Sequence, residues 1–309
     1  MLGPIRLNAQ CERMVPVEAV LVSHEGTFQS VDGLSLFYRC WEPEGSPRAM
    51  VIICHGVADH GERYVNLVRE LVAAGYVVYA HDHRGHGRSP GRPLHVDRFQ
   101  QFVDDLEQFC AHCRAIHPDL ERYLFAHSMG SAIGLAYVIQ HPSHFAGMVS
   151  SGTALYAGEG FPPLVLKLNQ WLSSILPLLR LTQLPTDGIS RDDEWVRQTK
   201  ADPLVYHGPG TARLGAEILN TLNALRPRLS EIRIPLLIVH GGADILVEVK
   251  GAQLLHDTCS SDDSTLRIYD GAYHELFNEP SPVRERAIAD IISWLDIHCP
   301  SNGNEPADQ

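Results

Sequence analysis

The chain has 309 residues, enough for one large α/β unit with an inserted subdomain, and its 37 acidic against 25 basic residues give a formal charge of -12. Such a field repels phosphate backbones and anionic head groups, which argues against nucleic acid as a partner. Seven cysteines, odd in number and without framework spacing, read as free thiols; Met1 to Pro16 lacks a signal-peptide apolar core, and no charge-free apolar stretch of about 18 residues occurs. The expectation is a cytoplasmic protein whose contact with membranes is peripheral at most.

In chain order, Val20 to Ser30 and Leu34 to Trp41 read as an antiparallel pair joined through Val31, Asp32 and Gly33 at one edge of a sheet. Apolar, β-branched runs then alternate with segments of helical period. Ala49 to Cys54 precedes Arg63 to Ala74, Tyr76 to Ala80 precedes Val96 to Ile116, and Tyr123 to Ala126 precedes Ala132 to Ile139. That alternation predicts an α/β fold with a mostly parallel central sheet flanked by crossover helices. From about Leu155 to Leu229 the rhythm breaks into Pro-rich helical patterning without strands. It resumes at Pro235 to Val239 and Thr265 to Tyr269. The organisation expected is a core over 1–154, an inserted helical lid over 155–229, the rest of the core over 230–300 and a disordered tail over 301–309.

Two serines sit between small residues. Gly87-Arg88-Ser89-Pro90-Gly91 matches the literal G-x-S-x-G pattern, whereas Ala126-His127-Ser128-Met129-Gly130 departs from it at the first position. A nucleophile elbow needs a strand leading in, a helix leading out, and a backbone N–H after the serine to hold an oxyanion. Pro90 has no N–H and no strand precedes Ser89, so Ser89 reads as a turn residue. Ser128 has the strand, the helix and the N–H of Met129, and is the candidate nucleophile.

A serine hydroxyl is a poor nucleophile at neutral pH and needs a base; in strand–turn–helix hydrolases the chain order is Ser, then an acid, then His. Asp244 follows Leu236 to Val239 through His240-Gly241-Gly242-Ala243, and His274 follows Leu266 to Tyr269 through the Gly271 turn. Both therefore fall at the carboxyl edge of the sheet with Ser128. Asp270 is a rival acid, but it precedes His274 by four residues on one segment and is poorly placed to reach behind the imidazole. A second oxyanion donor is expected from Val57, with Gly56 letting the backbone approach.

The segments His55-Gly56-Val57-Ala58-Asp59-His60-Gly61-Glu62-Arg63-Tyr64, Asp82-His83-Arg84-Gly85-His86-Gly87-Arg88-Ser89, the Ser128 elbow and His274-Glu275-Leu276-Phe277-Asn278-Glu279 together resemble the monoacylglycerol lipase and lysophospholipase family of α/β-hydrolases. The resemblance spans nearly the whole chain. It implies the α/β-hydrolase fold and an intracellular serine esterase of lipid metabolism. Such an enzyme releases a fatty acid and glycerol from a monoacylglycerol, without a cofactor, through the triad above and the N–H groups of Val57 and Met129. Ala126 stands where the family usually has Gly. Characterised mammalian members place Glu at the position of Asp59 and His at that of Phe277, both near the glycerol head, so the resemblance implies substrate contacts for Asp59 and Phe277.

Within the insertion, Leu164, Leu168, Trp171, Ile175 and Leu178 recur at helical spacing opposite Lys167, Gln170, Ser174 and Arg180. This apolar face, with Leu164 and Leu168 as substrate-binding candidates, is expected to line an acyl tunnel and to touch micelles or membranes. His81, His83 and His86 with Asp82, and Cys110 and Cys113 around His112, lack zinc spacing, so no metal is expected. General carboxylesterase and lysophospholipase activities share every residue named. Acyl transfer to an alcohol and a non-catalytic receptor on the same fold are the readings of other classes. Oligomeric state is not legible.

Overall fold

The computed structural model describes residues 23–156, 170–182 and 186–299. Eight strands form one sheet in the order β1-β2-β4-β3-β5-β6-β9-β10. These are β1 (Ser23–Gln29), β2 (Ser35–Trp41), β3 (Ala49–Cys54), β4 (Tyr76–His81), β5 (Arg122–His127), β6 (Gly147–Ser151), β9 (Leu236–Gly241) and β10 (Ser264–Tyr269). Within this sheet the β1–β2 and β2–β4 pairings are antiparallel and the β4–β3, β3–β5, β5–β6, β6–β9 and β9–β10 pairings are parallel. The hairpin expected at one edge is there.

The central strands are buried on both faces, which is why they read as unbroken apolar runs. In β3, Met50, Ile52 and Cys54 point into one core with α2 (Gln100–Ile116) and α3 (Met129–Gln140). The alternate residues Ala49, Val51 and Ile53 enter a second core with α1 (Val65–Ala73) and α7 (Val283–His298). Cys110 and Cys113 pack in the first core as small apolar side chains. Element boundaries moved by a few residues: α1 is preceded by a separate 3-10 turn at Gly61–Tyr64, and α2 starts at Gln100, not Val96.

All described residues of the insertion leave the sheet after β6 and return at β9. Here the expectation of no strands fails, because Arg180–Thr182 (β7) pairs antiparallel with Gly210–Thr211 (β8). Pieces two and three residues long carry no readable period, so only the contact across the insertion creates them. Asp192 caps α4 (Asp193–Ala201) by accepting from the N–H of Glu194 and Trp195 at 2.9 and 3.2 Å, and Thr211 caps α5 (Ala212–Leu225). Leu164, Leu168 and the segment 301–309 lie outside the described residues. Lys250–Thr258 (α6) covers the sheet between β9 and β10.

Candidate active site

Five loops leave the carboxyl ends of β3, β5, β6, β9 and β10, and each brings one part of the site. Ser128 follows β5 with φ +56° and ψ -122°, a conformation costly for any residue with a side chain. Neighbours hold it there: Ser128 N–H donates to Ser151 O at 2.9 Å, and the Ser128 carbonyl accepts from Ser131 N–H at 2.8 Å and Ser131 Oγ at 2.6 Å. The bend lifts a half-buried Ser128 off the strand end. Gly130 is required by proximity, since a Cβ there would lie 2.1 Å from Cys54 O. Met129 opens α3, so its N–H belongs to the first turn and has no acceptor within the helix.

The loop after β3 passes directly against this bend. A Cβ on Gly56 would sit 3.2 Å from Ser128 Cβ. His83 N–H donates to His55 Nε2 at 2.9 Å, so the ring hydrogen is on Nδ1, which donates to Gly56 O at 2.7 Å. In a trans peptide the N–H opposes the C=O, and pinning Gly56 O turns Val57 N–H the other way.

Behind the serine, His274 Nδ1–H donates to Asp244 Oδ2 at 2.6 Å, which leaves Nε2 to receive a proton. The other oxygen, Asp244 Oδ1, accepts from Leu246 and Val247 N–H at 2.8 and 3.0 Å, and His240 Nε2 lies 3.3 Å from Oδ2. Burial alone would raise the Asp244 carboxyl, but His274, His240 and the Val247 N–H outweigh it and hold the carboxyl well below its ordinary range. Burial likewise pulls His274 down, yet Asp244, then Glu275 and Asp59, raise it above the ordinary imidazole value.

Ser128 and His274 are brought together through shared neighbours. The His127 and His274 rings lie 4.5 Å apart, and a Cβ on Gly152 would be 2.8 Å from His274 Cε1. Gly152, at φ +56°, is thus the only kind of residue that fits between the imidazole and Ser151, the partner of Ser128. Among the described residues no hydrogen bond joins Ser128 Oγ to His274; such bonds commonly tighten only with substrate in place.

Asp270 is exposed, which removes it as the acid. Ser89 is buried, with Oγ donating to Asp82 O at 2.5 Å and accepting from Phe37 N–H at 2.9 Å. It ties a turn, and Asp82 bridges the same turn by accepting from Gly61 and Arg88 N–H at 2.9 and 2.8 Å. Two substrate-binding expectations need correction. Asp59 is 4 % exposed and consumed by its own turn, accepting from Arg63 Nη1, His60 N–H and Tyr64 OH, each at 2.8 Å. Phe277 is buried in the second core, stacked on Tyr64 at 4.8 Å and edge-on to His127 at 5.1 Å. Position in a motif does not tell which way a side chain points. The sequence reading also passed over His127, His240, Arg63 and Glu275 as participants; the one signal for His240 was its place four residues before Asp244 at a strand end.

A strained serine between strand and helix, an imidazole–carboxylate pair across the sheet edge and a glycine loop facing the serine define a serine hydrolase of the α/β-hydrolase class. The chain matches the family described as serine aminopeptidase, S33, across residues 45–281. It is 37 % identical over 274 residues to the monoacylglycerol lipase of Mycolicibacterium smegmatis, covering 89 % of this chain and 97 % of that one. It is 35 % identical to the monoglyceride lipase of Homo sapiens, covering 86 % and 88 %. The monoglyceride lipase of Saccharomyces cerevisiae, solved as a soluble variant with a substrate analog, superposes with a TM-score of 0.81 at 25 % identity, covering 92 % of this chain and 98 % of that one. The chain belongs to the monoacylglycerol lipase family of serine hydrolases.

Proposed function

We propose that the protein hydrolyses fatty-acyl esters, foremost monoacylglycerols, to a free fatty acid and glycerol. The observation that carries this reading is the His274–Asp244 pair at 2.6 Å, packed through His127 and Gly152 against the strained Ser128. The ester substrate comes from the relatives: several are monoacylglycerol or monoglyceride lipases, and a plant relative is a caffeoylshikimate esterase. Ester cleavage is therefore favoured over the peptide chemistry that the family description mentions.

In this reading Ser128 Oγ attacks the ester carbonyl carbon while its proton passes to His274 Nε2, and Asp244 stabilises the imidazolium. The N–H groups of Val57 and Met129 hold the oxyanion. Collapse breaks the bond to the glycerol oxygen, which takes the proton from His274 and leaves an acyl-Ser128. Water then attacks this ester, again losing its proton to His274, and the fatty acid departs as Ser128 regains its hydrogen. Every group required is a side chain or backbone amide of this chain.

The described part of the insertion supports a lid role. Trp171, Ile175, Leu176, Leu178 and Leu181 are all more than two-fifths exposed, a run of apolar side chains left open within one short segment of the insertion. This stretch suits contact with a micelle or membrane surface. Among the described residues no helix is long and apolar enough to cross a membrane. The free thiols of Cys40, Cys54, Cys110, Cys113 and Cys259 favour a reducing, cytoplasmic setting.

Labelling with a fluorophosphonate probe tests the nucleophile: it should be lost in Ser128→Ala and kept in Ser89→Ala, and the opposite pattern would end the reading. A chain-length series separates lipase from general carboxylesterase. Trp171→Asp with Ile175→Asp should depress hydrolysis of long-chain monoacylglycerol in micelles while sparing a short soluble ester.

A further inference from the structure

The fold buries a second set of charges beside His274 that the hydrolysis above leaves unused. Arg63, on the 3-10 turn before α1, has a side chain only 8 % exposed and reaches three separate parts of the chain. It donates to Asp59 Oδ1 at 2.8 Å in the loop after β3, to Glu275 Oε1 and Oε2 at 2.9 and 3.0 Å, and to Thr199 Oγ1 at 3.0 Å on α4. Trp195, one turn earlier on α4, donates its indole N–H to Glu275 Oε2 at 2.8 Å and lies 5.5 Å from the Arg63 guanidinium. Asn278 Nδ2 donates to the same oxygen at 2.9 Å, and Glu275 N–H donates to Ile189 O of the insertion at 2.7 Å. A glutamate adjoining the imidazole is therefore clipped to the insertion twice, its side chain to α4 through Trp195 and its backbone to Ile189.

Two carboxylates facing one guanidinium in a buried site is an expensive arrangement if stability were its only result. We propose that Glu275 is a positioning residue for the hydrolysis proposed above, on which this inference rests: it couples the seating of α4 on the sheet edge to the strength of His274 as a base. The groups whose charges act on the imidazole are Asp244 with His240 behind it from the β9 side, Asp59 from the loop after β3 and Glu275 from its own segment; His127 from β5 packs on the ring, and Arg63 on the 3-10 turn pairs with Asp59 and Glu275. The three carboxylates outnumber the guanidinium, so the field favours the imidazolium that must form during acylation. Asp244 is held by its own loop, through the N–H groups of Leu246 and Val247. The share from Glu275 depends on α4, because Trp195 and Thr199 close the low-dielectric surroundings of the Arg63–Glu275 pair. Lifting α4 would admit water and screen that share. His274 is then the stronger base when the helix is down.

The test is the pH dependence of kcat/KM on a short soluble ester, with circular dichroism and fluorophosphonate labelling of the same samples. Glu275→Gln should move the acid limb to lower pH by about half to one unit. Trp195→Phe keeps every charge and loses one donor, and should move the limb the same way by less. An acid limb unmoved in both variants, with rate losses that merely track the folded fraction, would overturn the proposal and leave Glu275 a holder of structure. If Glu275→Gln does not fold, an unmoved limb in Trp195→Phe overturns it alone. Persistent labelling of Ser128→Ala would instead sink the hydrolase reading, so the two failures are distinguishable.

Discussion

Ser89 and Ser128 stand in nearly the same sequence frame, each flanked two residues away by a small residue, and the fold gives them opposite fates. The hydroxyl of Ser89 is sealed between Asp82 O and Phe37 N–H, in a turn backed by the buried rings of His55, His83 and His86. That of Ser128 stands on a half-buried residue in a bend of positive φ, against the Gly56 loop. A hydroxyl whose hydrogen bonds are filled has no reactivity to offer. One left open on a strained backbone has been kept open by everything around it.

Substitutions that break this contrast should be felt in proportion to how much chemistry passes through each group. Ser128→Ala and His274→Ala should each lower kcat by about 10^4- to 10^6-fold, and the double variant should be little worse, since the groups act as a unit. Steady-state kinetics on a monoacylglycerol would show this, and additive losses would contradict a shared mechanism. Asp244→Asn removes the acceptor that fixes the Nδ1–H tautomer and should cost about 10^3- to 10^4-fold with folding retained. Gly130→Ala forces a methyl into Cys54 O and should destabilise the protein by ~3 kcal/mol or more, read as a fall in the denaturation midpoint. Ser89→Ala should cost only about 1–3 kcal/mol, from two buried backbone groups left unpaired, with probe labelling intact.

The same two regions should answer to pH differently. Because His274 is raised, the acid limb of kcat/KM should have its midpoint above the ordinary imidazole value of about 6.5, with rate rising as pH rises through it. Around Ser89 the histidines are depressed: burial pushes His86 down to about 4 and His81 to about 3, and His55 and His83 also lie well below their ordinary value. These rings stay neutral in the fold while the unfolded chain takes up protons near pH 6.5, so stability should fall as pH drops from there toward 4. Replacing His81 with Phe should flatten that loss, as measured by denaturation midpoints across the same range. A steeper loss would show that the ring is charged in the folded protein.

Local sequence was enough for the parallel sheet, because strands buried on both faces must be apolar throughout while their crossover helices repeat at 3.6. It was also enough to prefer Ser128 to Ser89, since proline lacks an N–H and an elbow needs a strand before it. Chain order and strand ends put Asp244 and His274 in reach of each other. Direction and partnership lay beyond it. Asp59 turning inward to Arg63 and Tyr64, Phe277 entering the core, Gly152 making room for the imidazole, and Arg63 joining α4 to Glu275 are contacts between residues as far as 212 positions apart in the chain. Periodicity reports which face of an element is buried, and motif spacing reports which loops meet; only packing in three dimensions decides what a side chain finally touches.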